Sequence, residues 1–323
     1  MDHDADGTLD FLSGSYDPGD VYLFRGLGGG RYEAARSLRD KSGLPLVHHP
    51  RELARYLELK QDDVEDSDEA LHARVASFGS WVAPVDWDAD GDLDLLVGSF
   101  VGELYLRTNE GTRAASVYAE AAVPVRIGSE ALRVNGHADP VVADWDGDGL
   151  WDLVVSAGDG SVGFYRNTGR REAPAFAERR ALVPPRTTSI FLTQYLAPDE
   201  LPGPGARAQI CVADQDGDGR LDLLLGDWST IRRLRPLTPE EHAAFGGLVA
   251  RLATLDEQLG QAAENEDTSA LAAQRAAVAE QMKGYEAPAS AAAQAPGLLG
   301  PASSFVWLFR RASATRAAAG KDG

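Results

Sequence analysis

With one cysteine in 323 residues the chain can form no intrachain disulfide, so a small stapled scaffold is excluded. That residue, Cys211, lies in the apolar segment "ICVAD", where a small buried side chain is the expectation. Positive charge is also short: 31 Lys and Arg stand against 50 Asp and Glu, a net charge of −19. Nucleic acid and anionic membranes are therefore poor partners. No stretch of eighteen apolar residues exists, which argues against membrane insertion by a helix. The first residues show no signal-peptide pattern. Signatures of catalysis are scarce too. The "GSW" at 79–81 is not a G-x-S-x-G nucleophile elbow, and the "GLGGG" at 26–30 reads as a hairpin turn rather than a phosphate loop. His137 and Asp139 in "NGHADP" offer an acid/base pair, with a structural histidine as the plainer reading.

What the chain has in excess is aspartate at regular spacing. "VDWDADGDLDLLVGSF" places Asp86, Asp88, Asp90 and Asp94 at positions 1, 3, 5 and 9 of one loop. The pattern returns as Asp2, Asp4, Asp6 and Asp10, as Asp144, Asp146, Asp148 and Asp152, and as Asp214, Asp216, Asp218 and Asp222. Carboxylates this crowded repel one another unless a cation sits among them. A hard divalent ion with six to eight oxygen ligands, Ca²⁺ above all, suits them, and a glycine allows the sharp turn. An EF-hand is excluded because position 12 is Ser13, Val97, Val155 or Leu225 rather than Glu, and the residues after position 9 form a short apolar run that reads as a strand. The ligand set expected is then the four carboxylates plus the position 7 carbonyl of Thr8, Asp92, Leu150 or Arg220, giving up to four Ca²⁺ ions. Four such ions would bring the net charge from −19 to −11.

A second signal comes after each loop: "VYLFR" ending at Arg25, "ELYLR" at Arg107, "VGFYR" at Arg166 and "VWLFR" at Arg310. The Arg lies 23, 21 and 22 residues after the first Asp in three copies and 96 after it in the fourth, which therefore carries an insertion. With turn signals such as Asn167 and Gly169, each copy reads as four antiparallel strands, one of them before the Asp loop. Repeats of this kind suggest propeller blades that are stable only when stacked.

These D-x-D-x-D-G loops followed by "RNTG"-type turns resemble the FG-GAP or VCBS repeats of integrin-like, calcium-binding β-propellers, in versions common among secreted bacterial proteins. The resemblance covers most of residues 1–228 and 304–310. It implies Ca²⁺ at the loops, an all-β propeller of four-stranded blades, and an extracellular, periplasmic or cell-surface location. It implies a binding or adhesion module for protein or glycan ligands. A carbohydrate-active lyase or hydrolase on the same scaffold is the alternative.

The expected layout is β-propeller repeats over 1–310, with units at about 1–47, 76–133, 134–200 and 205–310, and a tail at 311–323. Residues 48–75 form a surface insertion in which "RELARYLELK" favours a helix. His48 and His49 there are loop residues unless they ligate a metal. The larger insertion, 238–286, is a helical hairpin. Thr238 reads as its N-cap with Pro239 in the first turn, and Phe245, Leu248, Leu252, Leu255 and Leu259 share one face. It serves as a clamp or as a partner or dimer arm. Because the first copy has no strand before Asp2 and the fourth has none after Arg310, the expectation is an incomplete ring with further blades upstream of Met1, a closed four-blade ring being the alternative.

Overall fold

Residues 1–47, 49–61, 74, 78–186, 192–262, 267–288 and 302–311 are described in a computed structural model. The chain divides into two compact bodies. The first comprises Met1–Ile190, Ala206–Asp227 and Phe305–Gly323, and the second Phe191–Gly205 and Trp228–Ser304.

The first body is a succession of small antiparallel sheets, one for each Asp loop. Sheet 1 holds β1 (Phe11–Gly14), β2 (Val21–Phe24) and β3 (Arg36–Ser37). Sheet 2 holds β4 (Ser80–Val85), β5 (Asp94–Ser99), β6 (Leu104–Arg107) and β7 (Val123–Pro124). After a two-stranded pair, β8 (Arg126–Ile127) and β9 (Glu130–Ala131), comes sheet 3 with β10 (Asp139–Ala143), β11 (Asp152–Ser156), β12 (Val162–Tyr165) and β13 (Arg180–Val183). In sheets 2 and 3 the Asp loop joins the first strand to the second, as the spacing predicts. The strand after each loop is apolar on both sides, and β5 and β11 are buried along their whole length, as a strand covered on both faces must be.

What covers those faces is the neighbouring sheet. Counting the first Asp of each loop as position 1, position 11 and the residues of the next strand that pair with positions 11 and 13 meet positions 10 and 12 of the following repeat. Val21 and Leu23 pack with Leu95 and Val97; Leu96, Leu104 and Leu106 with Leu153 and Val155; and Val154, Val162 and Phe164 with Leu223 and Leu225. Main-chain hydrogen bonds fasten each junction at the same two positions. The N–H groups of Gly79, His137 and Arg207 donate to the carbonyls of Tyr16, Phe100 and Gly158, at 2.8–2.9 Å. Those of Ser80, Ala138 and Ala208 donate to Ser15, Ser99 and Ala157, at 3.0–3.3 Å. Position 13 lies under this crossing. There Gly14 and Gly98 leave no room for a side chain, while Ser156 turns its hydroxyl to the Ala208 carbonyl at 2.6 Å.

The fourth sheet begins with β15 (Ala206–Ala213) and the long β16 (Asp222–Arg233), whose Leu223–Gly226 segment pairs with β18 (Val306–Phe309). Cys211, expected to be buried, is exposed on β15. The alternation of the strand puts it on the face opposite Ile210 and Val212, which are the residues that pack on sheet 3. Helix α1 (Pro50–Gln61) fills the first predicted insertion and covers a small cluster of Val47, Leu53, Tyr56 and Leu59. The rest of that insertion, apart from His49 and Arg74, lies outside the described residues, and His48 with it.

In the second body, β14 (Thr193–Leu196), which the sequence groups with the third repeat, runs parallel to Thr230–Arg233, and β17 (Ala302–Ser303) pairs with Ser229 and Thr230. The hairpin is α2 (Pro239–Gln261) and α3 (Ser269–Lys283). Thr238 accepts from the Glu241 amide while the Glu241 carboxylate receives the Thr238 N–H, a reciprocal capping box. Arg235 pairs with the same carboxylate and, with the cap, holds its pKa down at about 2. Phe245, Leu255, Val278 and Met282 close the core of this body.

Candidate metal centres

Each Asp loop ties its own backbone with its carboxylates. In the third, Asp144 accepts the N–H groups of Gly147, Asp148 and Gly149 at 2.8–3.0 Å, and Asp148 accepts that of Leu150 at 2.9 Å. The fourth repeats this, with Asp214 accepting from Gly217, Asp218 and Gly219 and Asp218 accepting from Arg220. In the first two loops the same bonds are fewer: Gly7 donates to Asp2 and Thr8 to Asp6, Gly91 to Asp86 and Asp92 to Asp90. At position 7 the N–H is therefore committed to the position 5 carboxylate, and the position 7 carbonyl is the group that the sequence assigns to an ion.

The folded loops bring carboxylate oxygens together. One oxygen each from Asp2, Asp4 and Asp6, from Asp86, Asp88 and Asp90, from Asp144, Asp146 and Asp152, and from Asp214, Asp216 and Asp218 lie within 4.8 Å of one another. That is about twice a Ca²⁺–oxygen distance of ~2.4 Å, so one hard cation can touch all three members of a set. Buried oxygens without a hydrogen-bond partner remain on Asp2, Asp4, Asp92 and Asp146, as a hard-cation site needs. The donor set is all oxygen, which fits Ca²⁺ and not a thiolate- or imidazole-seeking metal.

The position 9 carboxylates do something that spacing did not reveal. Asp10, Asp94, Asp152 and Asp222 are almost wholly buried, and each clamps two distant backbone amides. Asp10 takes those of His3 and Gly26, and Asp94 those of Trp87 and Asn109. Asp152 takes those of Trp145 and Asn167, and Asp222 those of Gln215 and Arg311. The clamp joins the start of the loop to the end of the third strand. Burial pushes the Asp94 carboxyl up to about 6 against those two hydrogen bonds, and raises Asp152 in the same direction.

The arginine that ends the third strand reaches back to the loop in three repeats. Arg25 pairs with Asp4 at 2.7 Å and Asp6 at 3.0 Å, Arg166 with Asp146 at 2.6 Å and Asp148 at 2.9 Å, and Arg310 with Asp216 at 3.6 Å. Arg107 does not behave like them. Leu95 pairs with Arg107 where Leu153 pairs with Tyr165, so Arg107 stands one residue earlier in register and faces the opposite side. It is buried and donates to the carbonyls of Val47 and Glu120. Thr108 takes the place of the arginine in the second repeat. The guanidinium nearest that loop is Arg171, 3.5 Å from Asp86.

No acid/base pair forms at "NGHADP". The Asp139 carboxylate accepts the Ile210 N–H at 3.0 Å, and burial pushes its pKa up to about 7. His137 is buried against Trp81 and Phe100, which lowers its pKa to about 4. Ser80 of "GSW" donates to the Gly19 carbonyl, and "GLGGG" is a hairpin turn closed by Leu27 N–H to the Arg31 carbonyl. His49 lies 3.7 Å from Glu103. A cleft of about 400 Å³, lined by His3, Asp4, Arg25, Glu33 and Arg36 among others, opens beside the first Asp loop. Among the described residues no helix is long and apolar enough to cross a membrane.

Residues 86–155 and 144–225 match the family of FG-GAP-like repeats. The matched segments begin at the first Asp of the second and third loops and end in the strands after the third and fourth. No curated protein matches the chain.

Proposed function

From the premise that this chain is an FG-GAP-repeat protein, we propose that its four Asp loops each hold one Ca²⁺ and that its stacked sheets are blades of a β-propeller. We assign it the role of a calcium-stabilised module that binds protein or glycan outside the cell or at its surface. The observation that carries the reading is the fourfold convergence of carboxylate oxygens within 4.8 Å on loops that belong one to each of the stacked sheets. In three loops the carboxylates at positions 1, 3 and 5, and in the third those of Asp144, Asp146 and Asp152, would face the ion together with the carbonyl of Thr8, Asp92, Leu150 or Arg220, while the position 9 carboxylate also ties each loop to the chain beyond the third strand. A bound cation neutralises the crowding among them, so the ion stabilises the fold rather than performing chemistry. The net charge of −19 keeps nucleic acid out of the partner set.

One observation favours a second reading, a carbohydrate-active enzyme: the cleft at His3, Glu33 and Arg36 gathers an imidazole, a carboxylate and a guanidinium. Yet His3 is committed to the Tyr118 hydroxyl at 3.0 Å, and burial lowers its pKa. Thermal unfolding with calcium and with chelator tests the first reading. Native-state binding adds RT ln(1+[L]/Kd), about 2.7 kcal/mol for one site at a hundredfold excess over Kd. A melting temperature unmoved by EDTA, in protein shown by metal analysis to carry no calcium, would refute it.

A further inference from the structure

The cleft beside the first Asp loop exists because that repeat departs from its neighbours at loop position 2. The second and third repeats carry Trp87 and Trp145 there, and both pack into junction cores, Trp87 with its ring 5.9 Å from that of Phe176 in the following repeat. The first repeat has His3, a smaller ring whose Nε2 lies 3.0 Å from the Tyr118 hydroxyl. The unfilled space, about 400 Å³, is walled by residues of β2, β3 and the 114–116 loop of the second repeat, and it falls in the range of about 300–1,000 Å³ usual for small-molecule sites. In sheets 2 and 3 the strand before the Asp loop pairs with the strand after it, so a strand ahead of Asp2 belongs beside β1, at the edge of sheet 1 away from β3.

Two charged groups on its walls are uncommitted. Among the described residues neither the Arg36 guanidinium nor the Glu33 carboxylate makes an ion pair or a hydrogen bond, and the two do not meet each other across the cleft. Nothing of the kind stands at the register of Arg36 in the next two repeats: the second has Val123, and the third has Arg180, which is spent over the Phe164 ring at 4.9 Å. Arg25 also reaches the cleft, but Asp4 and Asp6 hold it at 2.7 and 3.0 Å. A lone oxyanion or an acidic peptide would meet Arg36 but be repelled by Glu33 and Asp4, and a neutral sugar would leave Arg36 without a counter-charge. A ligand that carries one carboxylate among several hydroxyls answers both walls. We propose that the cleft is a binding site for an acidic sugar, with its carboxylate on the Arg36 fork and its hydroxyls donating to Glu33 and exchanging hydrogen bonds with Ser116. The proposal rests on the glycan side of the binding role given above, names the class of sugar and the place, and asks no chemistry of His3.

The full chain, at fixed calcium, is titrated calorimetrically with the methyl glycosides of glucuronic, galacturonic and mannuronic acid and with the matching neutral methyl hexosides. At least one uronoside should bind with a Kd of about 1 mM, and its neutral counterpart about 10-fold more weakly or less, because a charge-assisted pair is lost. Arg36→Gln should weaken the uronoside by about 10-fold and leave the hexoside unchanged. Ala34→Trp, which fills the cleft from its wall, should abolish binding of both. Both substitutions are at exposed positions, and circular dichroism melts check that each variant folds. A chain that binds no uronoside at about 20 mM overturns the proposal. So does uronoside binding that Arg36→Gln leaves unchanged, or a neutral hexoside bound as tightly as its acid. An array of immobilised glycans and proteins separates this failure from failure of the binding role: a ligand held equally by the wild type and Arg36→Gln overturns the cleft alone, and no ligand at all overturns both.

Discussion

Replacing Gly98 by alanine tests the stacking of the sheets at its tightest point. A methyl group there would overlap the Ala138 carbonyl oxygen and lie 2.8 Å from the carbonyl carbon and 3.2 Å from the Ala138 side chain. These are atoms of the neighbouring sheet's backbone, so no rotamer change can clear the way, and the two sheets must separate by roughly 1 Å. A radial gap of 0.5–1 Å forfeits about a quarter to a half of each dispersion contact across it. The junction it opens includes Leu96, Leu104, Leu106, Leu153 and Val155, all buried. Overpacking costs typically about 1–3 kcal/mol, and a clash with main chain belongs at the upper end, so we expect a loss of about 3 kcal/mol. At about 2–4 °C per kcal/mol the midpoint should fall by roughly 6–12 °C. Gly226 is the internal control. It occupies the same register position, but its nearest neighbour would be the Gln209 carbonyl at 3.8 Å, an ordinary contact. Gly226→Ala should be neutral or stabilise by up to about 1 kcal/mol through the unfolded chain. Both are read by thermal and urea unfolding with calcium held constant. Equal effects at the two positions would overturn this account, because the cost is set by what each methyl would meet and not by glycine itself.

Two further outcomes arise from the charged groups. With its pKa raised to about 7, Asp139 contributes stability that is fully present below its unfolded value of 3.8 and is lost as pH rises through 7. Asp139→Asn keeps an oxygen for the Ile210 amide, so it should gain about 2–3 kcal/mol on the wild type between pH 5 and pH 8 by urea unfolding; a pH-independent difference would sink the assignment. Arg166 holds two carboxylates of the third loop, and exposed ion pairs are worth about 0.2–1 kcal/mol. Arg166→Met should therefore tighten calcium binding at that loop by roughly 1.5- to 5-fold in a calorimetric titration, whereas weaker binding would mean that the guanidinium shapes the site instead of competing for it.

The Asp loops, the strands after them and the helical hairpin were legible in the sequence because each rests on local chemistry: a spacing of two, an apolar run, a cap. The capping box at Thr238 needs only three residues of context. What was hidden depends on partners far along the chain. Asp94 reads as one more ligand, and its clamp on the Asn109 amide, fifteen residues away, leaves no local trace. The pairing of Thr193–Leu196 with the end of β16 crosses 37 residues and is parallel, so no hairpin signal announces it. Arg107 shares the sequence signature of Arg25 and Arg166 but stands one residue earlier in register than Arg166, and spacing does not reveal this because Arg25 at 23 residues and Arg166 at 22 both reach their loops. Cys211 was placed inside by its apolar neighbours, yet alternation along β15 turns it out.

At each junction one pair of hydrogen bonds is made by main chain alone, at two adjacent residues at or next to the start of the following sheet's first strand. At the first of the pair the residue takes a left-handed conformation, with φ of 69° at Gly79, 47° at His137 and 53° at Arg207. Three unrelated side chains thus serve one joint, at a strain of about 1–2 kcal/mol for the two that are not glycine. A fastening that ignores side-chain identity can be copied without being redesigned. A duplicated repeat, inserted whole, brings its own turn and its own pair of amides, and finds the two carbonyls of the preceding repeat already in place. Lengthening or shortening such an array by recombination between copies would leave every joint intact, and only the apolar faces would have to be matched afterwards by point substitution.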